Sequence, residues 1–564
     1  GPRGPGGPPP QVSGPPPPTL IPPRPSPAVS SELGGPSSMA GEHVQMEMER
    51  RDDGMRTGPS GKPWGMPPYL LHTAAKSGGV SRLRSVLKLK SWTKWGALVD
   101  ILDPQGVTPL FYAARNGHVA AVQLLVSYGG DVNFQTTHGE TPLIAASRHG
   151  HQAVVEWLVF NGADANLTMS DGVSAAFAAC QFNHVGVVKF LAEQGADMNS
   201  VTTDGTTPAL LAVMAGNLAM LEWLYRHGAN LHPETQSAPL LLAACQHGHL
   251  GIATWLVEHG EDVNSAMKDG ACPIIVAAQR GFLSIVGWLG AQGADVNKSV
   301  DDGATAILAA AQNGHLAVVE WLATHGADTE SKLHENGETA LIVAAQKGHK
   351  HVVDWLAAHG ADVDVQTRDG VNLVHIAVSH GHLGLLEVAA CHGANLDTAN
   401  SAGIAPLQLA CELGKLKLVE FLVAHSADPN IRSPDGPTAL AVAATRGHPE
   451  IVDCLITHNA DPNLSDSEGL SPLHAAAAGG KHRVVDVLAN AKADVNKQSL
   501  EGQTPLVLAC HKGHLVVAQA LVLAGANLDA KIKSQALELN YHRAVVHWLN
   551  EYQAPTNPRG ASFC

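Results

Sequence analysis

Short apolar runs alternate with polar breaks along most of the chain, in a pattern that predicts pairs of helices. In the stretch 140–167, Thr141 precedes a proline and a run of small and apolar residues, which predicts a capped first helix. Gly150 can end that helix because glycine accepts a positive φ. The apolar positions of 154–159 then follow the three- and four-residue spacing of one helix face, which predicts a second helix.

The helix pair returns with a nearly constant period. The small residue that ends each first helix, here called the anchor, sets the register, and ten of the twelve intervals between anchors are 33 residues. A fixed period of this length predicts one supersecondary unit stacked on copies of itself. The anchors are Gly117, Gly150, Asn183, Gly216, Gly248, Gly281, Gly314, Gly348, Gly381, Gly414, Gly447, Gly480 and Gly513.

The motif inside each unit resembles the ankyrin repeat, with "TP" before the first helix, "GH" at the anchor and "GAD" after the second helix. The resemblance covers roughly residues 66–552. It implies an all-α ankyrin-repeat solenoid of stacked helix-turn-helix units, with about fourteen repeats, a C-terminal half-repeat and loop fingers along one edge. The terminal units are atypical, as expected of repeats that cover the open ends of a stack.

Composition divides the chain into five predicted segments. They are a disordered Pro/Gly-rich N-terminal segment at 1–65, an atypical N-terminal capping repeat at 66–105, the repeat array at 106–531, a C-terminal capping half-repeat at 532–552 and a flexible tail at 553–564. The first segment is dense in proline and has no hydrophobic period, which predicts polyproline II character. Its PxxP core at Pro22 and Pro25 suits an SH3-type domain, and a solvated tail is the alternative.

Charge and motifs narrow the class of function. The formal net charge of −15 argues against bulk binding of nucleic acid, although protonation of the 31 His would reverse its sign. The eight Cys show no CxxC pair or zinc-finger spacing, which favours a reducing compartment. We find no signal peptide, transmembrane span, P-loop, nucleophile elbow, HExxH or kinase signature. The sequence therefore predicts a non-enzymatic cytoplasmic protein, with the nucleus also possible, and no cofactor, metal or small-molecule substrate.

Stacked repeats align equivalent positions into columns of side chains. Trp recurs seven residues after the anchor, and we interpret that column as packing. The carboxylates one position earlier are interpreted as a solvated face, and the two His columns as structural. The cysteines that lie at the third position before an anchor are expected to be buried. Cys564 is expected to be the only exposed cysteine. The buried set is Cys180, Cys245, Cys411 and Cys510.

The positions one and two residues before the anchor favour amides and bases, and Glu412 is the only acid among them. The resemblance implies that these positions face a concave groove and contact partner proteins, and their chemistry suits acidic or extended segments of those partners. An arbitrary polar face is the alternative. The candidate partner-binding residues are Arg115, Asn116, Arg148, His149, Gln246, His247, Gln279, Arg280, Gln312, Asn313, Gln346, Lys347, Arg446 and Lys512.

The resemblance also implies a modification. The Asn of "DVN" loops in ankyrin repeats is a substrate of an asparaginyl hydroxylase, and four residues match that position. The alternative role of such an Asn is to tie down its turn. The matching residues are Asn133, Asn264, Asn297 and Asn496.

Three functions follow from these features. The first is a non-catalytic scaffold that binds proteins through its groove and loop fingers. The second is the substrate-recognition arm of a larger protein, such as a ubiquitin-ligase adaptor, channel or enzyme, since the chain begins at Gly1 without Met. The third is a binder of nucleic acid or acidic membrane that uses the basic stretch 76–94 and the bases of the groove. The net charge disfavours this function.

Overall fold

The computed structural model describes residues 69–88, 99–232, 239–433, 436–529, 532–535 and 542–551. The chain divides into one unit at Gly1–Pro67 and a second at Pro68–Cys564, and all described residues belong to the second. The N-terminal segment predicted to be disordered, its prolines Pro22 and Pro25, and the predicted tail at 553–564 lie outside the described residues.

In the described ranges, fourteen pairs of helices are followed by four helical residues at 532–535 and then by one more helix, as the repeat count predicts. The first helices are α1 (Tyr69–Lys76), α3 (Pro109–Arg115), α5 (Pro142–Arg148), α7 (Ala175–Gln181), α9 (Pro208–Met214), α11 (Leu240–His247), α13 (Pro273–Arg280), α15 (Ala306–Gln312), α17 (Ala340–Gln346), α19 (Leu373–His380), α21 (Pro406–Glu412), α23 (Ala439–Arg446), α25 (Pro472–Ala478) and α27 (Pro505–His511). The second helices are α2 (Val80–Leu87), α4 (Val119–Ser127), α6 (Gln152–Phe160), α8 (Val185–Glu193), α10 (Leu218–Arg226), α12 (Leu250–Glu258), α14 (Leu283–Ala291), α16 (Leu316–Thr324), α18 (Lys350–Ala358), α20 (Leu383–Cys391), α22 (Leu416–Ala424), α24 (Pro449–Thr457), α26 (His482–Asn490) and α28 (Leu515–Leu523). The last helix is α29 (Arg543–Glu551).

Several first helices begin at hydroxyl caps of the kind that the sequence predicts. The Thr141 hydroxyl accepts a hydrogen bond from the backbone N–H of Ile144 at 3.1 Å, and Pro142 takes the first helical position, where a missing N–H leaves nothing unsatisfied. Thr108 and Ser174 cap α3 and α7 in the same way. Each cap fixes where a repeat starts, so the 33-residue period becomes a period of helix starts.

Packing follows the apolar stripes. Val154, Val155 and Leu158 of α6 are fully buried, and nearly every residue of α5 is buried as well. First helices pack on the first helices of neighbouring repeats, and second helices pack on second helices. The small residues of the first helices allow this close approach. Most buried apolar residues form one continuous core along the described array, beside a small separate cluster around Phe111.

A steric contact between neighbouring repeats explains the glycine at the anchor. Gly150 has a φ of +71°, and a Cβ atom there would lie 2.5 Å from Nδ1 of His184 in the next repeat. The His184 ring donates from Nε2 to the carbonyl oxygen of Arg148 at 3.1 Å. Other histidines that follow an anchor, such as His151 and His315, likewise lie over the preceding anchor and donate to the end of the preceding first helix.

The loops between repeats form hydrogen-bonded fingers that also contact one another. The backbone N–H of Ser170 donates to the carbonyl of His138 at 3.0 Å, and that of Thr203 donates to the carbonyl of Asp171 at 2.8 Å. Buried side chains secure the finger bases: Nε2 of His474 donates to the carbonyl of Gln503, at the foot of the next finger, at 3.0 Å. Successive fingers are thus linked along one edge of the stack.

The cysteine prediction is confirmed for the buried set and wrong in one respect. Burial raises the pKa of the Cys180 and Cys245 thiols to about 12, which suits buried apolar packing. Cys391, the last residue of α20, is exposed, so the expectation that no cysteine other than Cys564 is exposed is wrong. The sequence pattern missed it because Cys391 ends a second helix, where no buried column runs. Among the described helices, none has the length and apolarity that crossing a bilayer requires.

Candidate functional site

The predicted partner-binding residues lie at the carboxyl ends of the first helices. We call the two residues before each anchor, from Arg115 and Asn116 to His511 and Lys512, the first-helix row. Eleven of the fourteen predicted residues are exposed, and Arg148, Gln246 and Gln346 are half-buried. The row is therefore an accessible surface that crosses thirteen repeats.

Side chains of the row contact the neighbouring repeats. Nε of Arg115 donates to Nε2 of His149 at 3.4 Å, and Nδ2 of Asn116 donates to the carbonyl of Lys76 at 2.9 Å. Burial and the adjacent charge of Arg115 lower the pKa of His149. Burial also lowers the pKa of His247, with smaller contributions from His249 and Arg280. These two imidazoles therefore favour the neutral form and act as hydrogen-bonding groups.

Carboxylates contact the row both from its own columns and from the loop fingers. Arg148 pairs with Glu140 in the preceding finger at 3.2 Å, and Arg446 pairs with Glu412 of the neighbouring repeat. Oε1 of Glu338 accepts a hydrogen bond from Nε2 of Gln346 at 2.7 Å. The expectation of a row with Glu412 as its only acid holds for the columns, but it misses the finger carboxylates that neutralise part of the row.

The other cations and amides of the row have no carboxylate partner among the described residues. Arg280, Lys347 and Lys512 are exposed and form no ion pair with any residue that the structure describes. The side-chain amides of Gln246 and Gln279 make no hydrogen bond within the described part of the chain, and the same holds for Gln312. The middle of the row thus presents hydrogen-bond donors and positive charge at the surface.

An apolar interruption of the row is a feature that the sequence reasoning missed. Phe182 is 50% exposed, and its ring stacks on His184 with centroids 6.5 Å apart. The next repeat contributes the half-buried Met214 and the exposed Ala215. The signal was present in the register, since these residues occupy the same two columns, but only polar members of the columns were considered.

The second helices present a different surface. Glu387 pairs with Lys350 at 3.1 Å, and Asp354 pairs with His392 at 3.0 Å, each across one repeat boundary. Further along, Glu420, Asp453 and Asp486 are exposed. These carboxylates lie one repeat apart, and the pairs that form are surface ion pairs of small energetic effect. They suit a solvated face, as the sequence predicts.

The Trp column packs against the core, as predicted, and it also orders a column of histidines. The Trp321 ring stacks on His325 with centroids 3.9 Å apart, and Nδ1 of His325 donates to the Trp321 carbonyl at 2.7 Å. Trp223 with His227 and Trp355 with His359 repeat this arrangement. Across the ranges that the structure describes, no group of three or more His, Cys, Asp or Glu is placed to hold a metal ion.

The four loop asparagines link consecutive repeats. Nδ2 of Asn133 donates to the carbonyl of Gly162 at 3.0 Å, and its Oδ1 accepts from the N–H of Asp164 at 2.8 Å. Asn297 makes the equivalent bonds at 2.9 and 2.8 Å, and Asn264 and Asn496 do so with a longer donor distance of 3.3 Å. These contacts support the turn-fixing role, and hydroxylation stays a prediction.

The basic stretch of the first repeat is described only in part, because 89–98 lies outside the described residues. Lys76 sits 3.8 Å above the ring of Tyr112, which fixes it in a cation–π contact. The Tyr112 hydroxyl donates to Asp103 at 2.8 Å, and burial together with this bond raises its pKa to about 12. Lys76 is therefore held in a structural contact between the first two repeats.

Comparison with known proteins points to one repeat family. The family model described as ankyrin repeats (3 copies) matches residues 71–169, 153–235, 176–267, 232–300, 274–369, 359–433, 407–499 and 440–534. The chain is also 43% identical over 63 residues to the inactive serine/threonine-protein kinase TEX14 of Mus musculus, which is 11% of this chain and 4% of that relative. The chain therefore spans a very small part of this curated relative.

A solved structure gives a second comparison. The crystal structure of the human ASB11 ankyrin repeat domain is 27% identical to this chain, with 40% of this chain and 99% of that chain covered, at a TM-score of 0.37.

Proposed function

Since the chain belongs to the ankyrin repeat family, we propose that it is a non-catalytic scaffold that binds partner proteins through the first-helix row and the adjoining loop fingers. The observation that carries this proposal is the middle of the row, where exposed cations and amides lie in consecutive repeats without partners in the described residues. Arg280 and Lys347 are the cations of this region, and each lies beside a glutamine.

The chemistry of the row favours an acidic or extended partner segment. Arginine grips a carboxylate with two parallel hydrogen bonds, and lysine attracts it as a point charge. Glutamine adds donors and acceptors that match a peptide main chain. The paired cations Arg148 and Arg446 are already satisfied within the protein, so they contribute less to a partner than the unpaired ones.

The proposal is tested by reversing the unpaired charges. The full chain with Arg280, Lys347 and Lys512 changed to Glu is immobilised beside the wild type, and the proteins that each retains from cell extract are identified by mass spectrometry. A matched control carries Lys189, Lys268 and Lys417 changed to Glu, because these lysines are exposed and lie outside the row.

Proteins retained by the wild type and the control but lost from the row variant support the proposal. Equal retention by all three, with circular dichroism showing all three folded, contradicts it. Loss from the control alone moves the binding surface away from the row.

A further inference from the structure

Four consecutive repeats place glutamine at the same position of the first-helix row. They are Gln246, Gln279, Gln312 and Gln346. Gln346 is held by Glu338, whereas the amides of the other three make no hydrogen bond within the part of the chain that the structure describes. Gln246 is half-buried, and Gln279 and Gln312 are exposed. The result is a series of three available amides, one per repeat, which we call the amide ladder.

The spacing of the ladder matches one kind of polypeptide. Packed helix layers lie about 8–10 Å apart, so the amides recur at about that interval. A polyproline II helix repeats every three residues with a rise of about 3.1 Å per residue, which is roughly 9 Å per turn. A β-strand alternates the direction of its carbonyls at every residue, so residues three apart point to opposite sides. A polyproline II segment therefore presents the same side to every rung, and a β-strand does not.

The hydrogen-bonding character of the row agrees with this match. A proline-rich segment has carbonyl acceptors that no internal hydrogen bond uses, and it has few N–H donors. The row supplies donors from its glutamine amides and from Arg280. The exposed Phe182, two repeats before Gln246, adds an aromatic surface of the kind on which proline rings pack.

We infer that Gln246, Gln279 and Gln312 bind the main-chain carbonyls of a proline-rich segment of a partner protein, held as a polyproline II helix with three residues per repeat. Arg280 and Lys347 favour an acidic side chain within the same segment. This inference rests on the proposed function, because it names the partner class of the first-helix row.

The test uses a random dodecapeptide library displayed on phage and selected against the full chain. Selected peptides are synthesised, and their affinities are measured for the wild type and for Gln279→Ala/Gln312→Ala. The matched control is Gln123→Ala/Gln519→Ala, which removes two exposed amides from second helices. Loss of two hydrogen bonds predicts about a ten- to hundredfold weaker affinity for the ladder variant and less than a twofold change for the control.

The measured affinities distinguish failure of the inference from failure of the proposed function. Proline-enriched peptides with a three-residue period and a loss confined to the ladder variant support the inference. Peptides that bind the ladder variant as tightly as the wild type, yet fail to bind Arg280→Glu/Lys347→Glu, overturn the inference and leave the proposed function standing. Peptides that are insensitive to every change in the row overturn both.

Discussion

The contact between each anchor and the next repeat gives a sharp prediction at the one anchor that is not glycine. Asn183 has a φ of +58°, and the residue that follows the next anchor is Asn217 rather than His. Nδ2 of Asn217 donates to Oδ1 of Asn183 at 2.6 Å, and Oδ1 of Asn217 accepts from the N–H of Met220 at 3.0 Å. The two asparagines thus replace the usual glycine and histidine as a pair.

The loss of stability expected for Asn217→His can be estimated from the geometry at the glycine anchors. A Cβ atom at Gly150 would lie 2.5 Å from the following ring, about 1 Å closer than ordinary van der Waals contact. A histidine at position 217 meets the real Cβ of Asn183 at about this distance, and overpacking of this kind costs about 1–3 kcal/mol. Loss of the Asn217 cap adds about 1 kcal/mol. Asn217→His alone should therefore destabilise the two repeats that contain Asn183 and Asn217 by about 2–4 kcal/mol.

The double variant Asn183→Gly/Asn217→His separates the steric cost from the loss of the cap. Asn183→Gly removes the Cβ, so a histidine at position 217 can take the usual place and donate to the carbonyl of Gln181. The coupling between the two substitutions should be about 1–3 kcal/mol, leaving mainly the loss of the cap. Asn217→Ala is the control, because it removes the cap and the Asn183 bond without adding a ring.

Hydrogen exchange of the full chain, read by mass spectrometry at the amides of α7–α10, measures the local free energy of opening. This readout does not require the whole array to unfold in one step. If Asn217→His costs as much in the Asn183→Gly background as it does in the wild type, within about 0.5 kcal/mol, the steric account of the anchor is refuted.

Three further predictions concern other parts of the array. Asn297→Ala removes two hydrogen bonds between repeats and should lower the free energy of opening of the adjoining loops by about 1–3 kcal/mol in hydrogen exchange; an unchanged exchange rate would show that the loop does not depend on them. Burial raises the pKa of the Glu261 carboxyl, partly offset by His232 at 3.3 Å, so its proton-linked stability is present at acidic pH and is lost as the pH rises through the folded-state pKa. Glu261→Gln should accordingly raise the melting temperature at neutral pH, with a gain that shrinks on acidification, and a gain that grows instead would reverse the assigned sign. Thr141→Ala should cost about 1 kcal/mol in chemical denaturation, whereas Thr305→Ala should cost less because Thr305 makes no capping hydrogen bond, and equal losses would argue against the cap.

The fold was accessible from the sequence because its determinants are local. A cap such as Thr141, the apolar spacing of 154–159 and the anchor Gly150 each act within a few residues, and the fixed period repeats them. The repeat also brings equivalent residues into columns without knowledge of the structure. The first-helix row could therefore be named by position alone.

The sequence could not show which side chains of the row are paired and which are available. That depends on contacts between the row and the loop fingers, which the columns do not reveal. Glu140 and Glu338 belong to fingers, so their reach to Arg148 and Gln346 appears only in three dimensions. The sequence shows that asparagine replaces glycine at position 183 and histidine at position 217. Only the structure shows why the two replacements belong together, because the side chain of residue 217 lies over the anchor at position 183.

The most direct test of the central claim places a photo-reactive residue on each surface. Benzoylphenylalanine is introduced at His380 in the first-helix row and, separately, at Asp354 on the second helices, both of which are exposed. After irradiation in cell extract, the account predicts partner adducts from position 380 that are absent from position 354. Adducts from position 354 with none from position 380 would contradict it.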